Sequence, residues 1–349
     1  MNDDEYKSLL ASLPHNPVIF DGFVKAHSMI CTDKFNRIVC LVSGGSDSDL
    51  LVDICSRLSN KNIEYVYFDT GLEYQATKEH LDYLEERYGI SIKRIRAKYP
   101  VPLAVKKVGQ PFISKQVSEY ISRLQRNNFK WEDKSFDELY QEYPMCKSAL
   151  KWWCNYKGAD EASSMFNINR NKWLKEFLIE NPPCFDISPR CCDLAKKMTG
   201  SQVDSKDSLH LVGVRKSEGG VRAGHNTCVT YGHKNIYRPI FWYSNEDKEQ
   251  YEEFSNIKHS LCYSKYGLKR TGCAGCPFGR EFEFELEVLE KYEPKLHKAV
   301  CNIFKESYEY TRKYRKFCKE KNKEIEITKG CYQTSIFDYL EGENECKDK

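Results

Sequence analysis

The stretch "CLVSGGSDSDLLVDIC", residues 40–55, constrains this chain more than any other. An apolar run, "RIVCLVS" at 37–43, ends at a glycine pair set among small hydroxyl and acidic residues. Leu50, Leu51, Ile54 and Leu58 then recur at helical spacing. Strand, glycine turn and helix in that order form the entry unit of a parallel α/β sheet. Gly44 and Gly45 let backbone amides approach a ligand without side-chain obstruction. Ser43, Ser46 and Ser48 add hydroxyls, and the N-terminus of the following helix favours an anion. Two readings stand at this point: a phosphate-holding loop, or a tight turn with Asp47 as the helix cap. The loop lacks the Lys-Ser/Thr ending of an ordinary P-loop, which argues against that class of NTPase.

The alternation continues downstream. "IEYVYFD" (63–69) reads as a second strand, residues 73–89 as a helix with Leu81 and Leu84 on one face, and "SIKRIRA" (91–97) as a third strand. "SLHLVGVR" (208–215) reads as a returning strand. Ligands of such sheets bind beyond the carboxyl ends of the strands, which puts "SGGSDS" and "DTG" (69–71) side by side. Residues 100–205 read as mostly helical and are rich in Lys, Arg, Trp and Tyr. Residues 237–254 read as an extended entry and a helix capped by Ser244 and Asn245. Residues 284–320 read as helical with a break near Pro294, and the last thirty residues show no pattern. The expected fold is α/β: a parallel twisted sheet with helices on both faces, helical insertions and a helical C-terminal region. The expected division is a helical lead-in at 1–35, a sheet domain at 36–280, and a helical extension with an irregular tail at 281–349.

Hydrophobic residues make up 40% of the 349 and charged residues 30%, the balance of a soluble globular chain. A net charge of +3 does not require a nucleic-acid partner, although local basic patches can bind phosphates. No apolar run approaches the roughly 18 residues that span a bilayer. The acidic N-terminus has no signal-peptide core, so the expected location is the cytoplasm, with no membrane partner. Thiols stay reduced there, so the sixteen cysteines are not read as a disulfide framework. Cys40 and Cys55 read as core residues. Cys191, Cys192, Cys273 and Cys276 supply four thiolates, enough for one cubane cluster. Zinc, or buried thiols that bind nothing, remain alternatives. Cys146, Cys154 and Cys262 read as packing residues able to replace one of the four. Lys196, Lys197, Lys269 and Arg270 lie beside these thiols and would favour thiolates.

"SGGSDS" resembles the PP-loop, SGGxDS, of the ATP-pyrophosphatase superfamily. "VYFDTGLEYQAT" is similar to the LDTG segment of its phosphoadenosine phosphosulfate (PAPS) reductase branch. "LVGVRKSEGGVRA" is similar to the branch's basic loop, "YRPIFWYSNEDKEQY" to its P-I-x-x-W segment, and "CYSKYGLKRTGCAGCPFG" to its G-C-x-x-C stretch. The five blocks stand in family order between residues 37 and 280. The resemblance implies an adenine nucleotide alpha hydrolase-like fold. It also implies a nucleotide site built from Ser43, Gly44, Gly45, Ser46, Asp47, Ser48, Asp69, Thr70, Gly71, Arg215 and Arg222. The CC…CxxC pattern resembles that of adenosine phosphosulfate reductases, which implies a 4Fe-4S cluster on Cys191, Cys192, Cys273 and Cys276.

The implied partners are PAPS, adenosine phosphosulfate or ATP, the last with Mg2+, and a thiol electron donor. The family's C-terminal Glu-Cys-Gly-(Ile/Leu)-His motif is missing. Only Cys331 and Cys346 lie where its nucleophile is kept, and Cys331, after Lys329 and Gly330, is the better candidate. Three functions follow. One is sulfonucleotide reduction, or sulfur transfer from a sulfonucleotide. The second is an adenylating ATP pyrophosphatase or sulfurtransferase acting on nucleic acid or a small molecule. The third is non-catalytic nucleotide binding by a metal-bearing protein. Lys147, Lys151, Trp152 and Trp153 read as a helix with core tryptophans, and the basic run 312–321 as a solvated face.

Overall fold

The computed structural model describes residues 2–31, 34–58, 63–157, 167–201, 203 and 207–341. Its contacts divide the chain into two units: residues 1–105, 191–276 and 281–303 form the first, and 106–190, 277–280 and 304–349 the second.

Six strands in the first unit, β1 (Arg37–Val42), β2 (Ile63–Asp69), β3 (Ile92–Arg96), β4 (Ser208–Val212), β5 (Val229–Thr230) and β6 (Asn235–Tyr237), form one sheet in the order β3-β2-β1-β4-β6-β5. All pairings are parallel except β5 with β6. The order reverses direction at β1, where β2 leaves on one side and β4 on the other, and this switch point is where such sheets bind ligands. Four helices, α1 (Asp3–Ser12), α2 (Pro17–Ile30), α3 (Ser46–Arg57) and α4 (Gln75–Tyr88), complete its first half.

Strand burial follows from the covering of both faces. Ile38, Cys40 and Val42 join the core of Ile19, Phe23, Leu50, Leu51, Ile54 and Leu81 from α2, α3 and α4. Val39 turns the other way and packs with Val66 and Val203, with Leu41, Phe68 and Ile95 against them. Each fully buried Leu or Ile contributes roughly 1.5–3 kcal/mol. Asp53 on α3 ties the layer together: Arg57 Nε donates to it at 2.6 Å, Tyr251 at 2.6 Å and Tyr88 at 3.0 Å.

The second unit is helical. Its core gathers Phe112, from the loop before the helix Lys115–Arg126, with Ile121, Trp152, Trp153, Phe177 and Tyr310 from the helices Lys115–Arg126, Lys147–Trp153, Leu174–Glu180 and Lys305–Glu341. Trp152 and Trp153 are buried, in keeping with core tryptophans. The stretch read as patternless differs: the helix runs unbroken from Lys305 to Glu341. Gly330 is the one glycine in that span and is tolerated at a cost of about 1 kcal/mol. Among the described residues no helix is long and apolar enough to cross a membrane, and no cysteine whose side chain is described is in a disulfide.

Candidate functional site

Gly44 carries the conformation of the glycine loop. Its φ is +69°, and a Cβ there would meet Cγ2 of Thr77 at 2.7 Å. Gly45 has an ordinary backbone, with φ −97°, and is the N-cap of α3 without a side-chain capping bond. This corrects the alternative in which Asp47 caps the helix. The Ser43 amide donates to Oγ of Ser48 at 2.9 Å, closing the loop on itself. The Ser46 amide donates to the hydroxyl of Tyr263 at 3.0 Å. The end of β4 presses against the loop, since a Cβ on Gly213 would stand 2.6 Å from the carbonyl oxygen of Asp47.

Asp47 faces two cations. Nε of Arg215 donates to its Oδ1 at 3.0 Å, and Nζ of Lys248 donates to the same oxygen at 2.8 Å. Lys248 also donates to Oγ of Ser46 at 2.6 Å. Nη1 of Arg215 donates to Ser217, to the Ser244 carbonyl and to Oδ1 of Asn245. The buried guanidinium thus joins the glycine loop to the start of the helix Asn245–Ser255, which Ser244 caps as expected. Arg222 is half exposed and pairs with Glu218, as a solvated loop residue does.

Beneath the loop lies a chain of titratable groups that sequence reasoning missed. Asp49 is fully buried between Nε2 of His80, at 2.9 Å, and Nδ1 of His259, at 2.7 Å. Nε2 of His259 stands 2.9 Å from Glu252. Burial pulls the His259 pKa down, but the bonds to Asp49 and Glu252 prevail and push it up to about 9. The only signal in the sequence was the presence of charged residues in "NEDKEQYEEF" and a histidine in "NIKHSL", which carry no spacing rule.

The Asp69–Gly71 turn sits at the end of β2. Its two carboxylates divide their roles: the amides of Thr70 and Gly71 donate to Glu73 at 2.7 and 2.9 Å, and Gly71 also donates to Asp69 at 2.8 Å. Burial, then the neighbouring Asp69, raises the pKa of Glu73. Burial opposes ionisation of Asp69 as well, but hydrogen bonds from Glu73 and Gly71, with Lys78 and Arg96 nearby, hold its pKa low. Oγ1 of Thr70 lies 3.5 Å from Sγ of Cys273, and the Ala274 amide donates to the Leu72 carbonyl at 2.7 Å. The turn and the Cys273-x-x-Cys276 segment are therefore held together.

Cys191 and Cys192 belong to the same unit. A hydrogen bond with Cys192 comes first in raising the Cys191 pKa well above its ordinary value, followed by burial, Cys192's charge, Cys276 and Cys273. The pKa of Lys196 is raised, first by Cys273 and also by Cys192 and Cys276. Four thiols and the Lys196 ammonium thus share a neighbourhood. The donor set fits a thiolate-bound metal group in kind, because crowded thiolates repel unless a cation neutralises them. Among the described residues, however, no three His, Cys, Asp or Glu side chains are arranged to hold a metal ion. Cys262 is buried against Thr77, 3.5 Å from its hydroxyl, and Cys146 is buried in the second unit, as packing residues are. Cys331 lies within the helix Lys305–Glu341, and Cys346 lies outside the described residues.

A cavity of about 570 Å³ lies at the opposite ends of the strands, lined by Cys55, Ile63, Tyr65, Tyr88 and Lys93. It contains none of the residues of the glycine loop or the Asp69–Gly71 turn.

An uncharacterized protein of Methanocaldococcus jannaschii is 24% identical over 293 residues, which cover 82% of this chain and 44% of that protein. The chain thus spans under half the length of that curated relative. Among solved structures, a PAPS reductase from Candida auris in a phosphate complex aligns with 11% identity and a TM-score of 0.38, covering 78% of this chain and 96% of that one. A U34-tRNA thiolase from Methanococcus maripaludis with its 4Fe-4S cluster aligns with 15% identity and a TM-score of 0.33, covering 86% and 78%. Residues 37–118, which hold the glycine loop and the Asp69–Gly71 turn, match the phosphoadenosine phosphosulfate reductase domain.

Proposed function

We propose that the protein is a PAPS reductase-like enzyme that binds an adenine nucleotide at the glycine loop and acts on the sulfur of a sulfonucleotide. The observation that carries this reading is the 3.5 Å approach of Thr70 Oγ1 to Cys273 Sγ. It joins the turn beside the nucleotide loop to the cysteine segment. Ser43, Gly44, Gly45, Ser46, Asp47 and Ser48 would receive the phosphates, and Asp69, Thr70 and Gly71 would border them. Arg215 would shape the loop through Asp47, and Arg222 would meet the substrate only by leaving Glu218. Cys191, Cys192, Cys273 and Cys276 would hold a 4Fe-4S cluster, or zinc in the alternative, which when bound would neutralise the thiolates beside the nucleotide.

Sulfonucleotide reduction needs a thiolate that attacks the sulfate sulfur, forming an S–S bond as the nucleotide phosphate leaves. A second thiol then attacks that bond, releasing sulfite and leaving a disulfide, so two electrons come from a dithiol donor. Cys331 is the proposed nucleophile in this chain. Its position inside a continuous helix favours a second reading, in which ATP is cleaved to AMP and pyrophosphate to activate an acceptor. Incubation of anaerobically purified protein with PAPS, adenosine phosphosulfate and ATP separates the two. Sulfite, with an S-sulfonate on Cys331, supports reduction. Pyrophosphate from ATP without an adduct transfers the protein to the adenylating class. With neither product, the nucleotide-binding, non-catalytic reading stands.

A further inference from the structure

The glycine loop ends in Ser46, Asp47 and Ser48, so the lysine that an ordinary P-loop supplies from its own sequence is missing. Backbone amides and a helix N-terminus offer partial charge only. We infer that Lys248, reaching in from the helix Asn245–Ser255, is the phosphate-binding ammonium of this loop and that the anion it takes is the phosphoanhydride portion of a nucleotide. This rests on the nucleotide reading above and adds to it a residue that the family resemblance did not point to.

The two cations on Asp47 are not equivalent. Arg215 is committed through Nε and Nη1 to Asp47, Ser217, Ser244 and Asn245. Lys248 is a point charge on a flexible stem. Its Nζ bridges Ser46 Oγ at 2.6 Å and Asp47 Oδ1 at 2.8 Å, at the first turn of α3. Rotation about its last bonds turns that ammonium outward. If it moves, Asp47 keeps Arg215, and no buried carboxylate is left unpaired. Glu252, 3.6 Å from Nζ, keeps His259 at 2.9 Å. At the loop Arg215 offsets Asp47, and Lys248 adds a second cation, with Glu252 a further carboxylate within 4 Å of its Nζ. Ser46 accepts from Lys248, so its own proton remains available to donate to the same anion.

The test is titration calorimetry with ATP, inorganic pyrophosphate and adenosine on the parent protein, Lys248→Met and Lys248→Arg. Lys248→Met should weaken ATP and pyrophosphate by about 10- to 100-fold, as for a lost charge-assisted bond. Adenosine, which lacks the anion, should bind both proteins alike, and Lys248→Arg should recover part of the loss. Unchanged ATP and pyrophosphate affinity in the folded Met variant overturns the inference and leaves the nucleotide reading intact. A parent protein that binds neither ATP nor pyrophosphate overturns that reading, and this inference with it. Should the Met variant not fold, an acyl phosphate of ATP applied to the parent protein decides: its acyl group should transfer to the Lys248 amine as the nucleotide leaves, and excess ATP should block this. Labelling of other lysines with Lys248 unmodified overturns the inference.

Discussion

Nδ1 of His259 lies 2.7 Å from Oδ2 of Asp49, a fully buried carboxylate in the first turn of the glycine-loop helix. The pair makes the stability of the loop's foundation depend on pH. The folded pKa of His259 is pushed up from 6.5 to about 9, so its contribution is complete below about 6.5 and is lost as pH rises through about 9. Allowing for partial exposure, the amount at stake is roughly 1–3 kcal/mol. Urea melts at pH 6, 7.5 and 9 should show the parent protein losing stability across this window and His259→Gln losing less. Parallel pH profiles for the two proteins would remove His259 as the cause.

Gly213→Ala should loosen the glycine loop from the outside. The new methyl would stand 2.6 Å from the backbone oxygen of Asp47 and 2.9 Å from its carbon, and backbone has little room to give. A loss of about 1–3 kcal/mol is expected, as for other overpacked sites. Gly224→Ala, where a Cβ meets nothing within 4 Å, serves as the control and should be near neutral. Thermal denaturation of the two variants reads the contrast directly, and equal midpoints would contradict it.

Arg215→Met should destabilise the folded protein by about 2–3 kcal/mol. That is less than the roughly 3–5 kcal/mol of an isolated buried pair, because Lys248 still faces Asp47. Arg215→Lys keeps the charge but cannot reproduce the fork that reaches Ser217, Ser244 and Asn245. Nucleotide affinity should fall on the order of tenfold in the Lys variant. Wild-type stability and affinity in both variants would show that the bridge between β4's end and the loop is idle.

Among the cysteines, Cys191→Ser and Cys273→Ser should each lower iron and acid-labile sulfide together in anaerobically purified protein. Cys262→Ser should leave both unchanged, since that thiol is buried against Thr77. Elemental analysis with sulfide determination gives the answer. Stoichiometric zinc without sulfide would replace the cluster with a zinc site, and iron loss in Cys262→Ser alone would move the ligand set.

Much of this architecture is written locally. Alternating apolar runs and helical spacing between 37 and 97 suffice for three parallel strands and two helices, because those signals arise within a few residues of one another. Ser244 is legible as a cap for the same reason. The short strands Val229–Thr230 and Asn235–Tyr237 are not, since two or three residues hold no period and form only where a neighbour offers an edge, β4 for Asn235–Tyr237 and that strand in turn for Val229–Thr230. The helix beyond residue 320 escaped because its apolar residues keep no clean stripe. At the site, adjacency of "SGGSDS" and "DTG" follows from parallel sheet topology alone. The partners of the loop do not follow. Lys248 reaches Asp47 across 201 residues, and His259 reaches Asp49 across 210. A lone lysine or histidine has the same local chemistry on a solvated face as in a buried pair. Only the closing of the helix Asn245–Ser255 over the glycine loop, which removes water from those charges, decides that they must find each other.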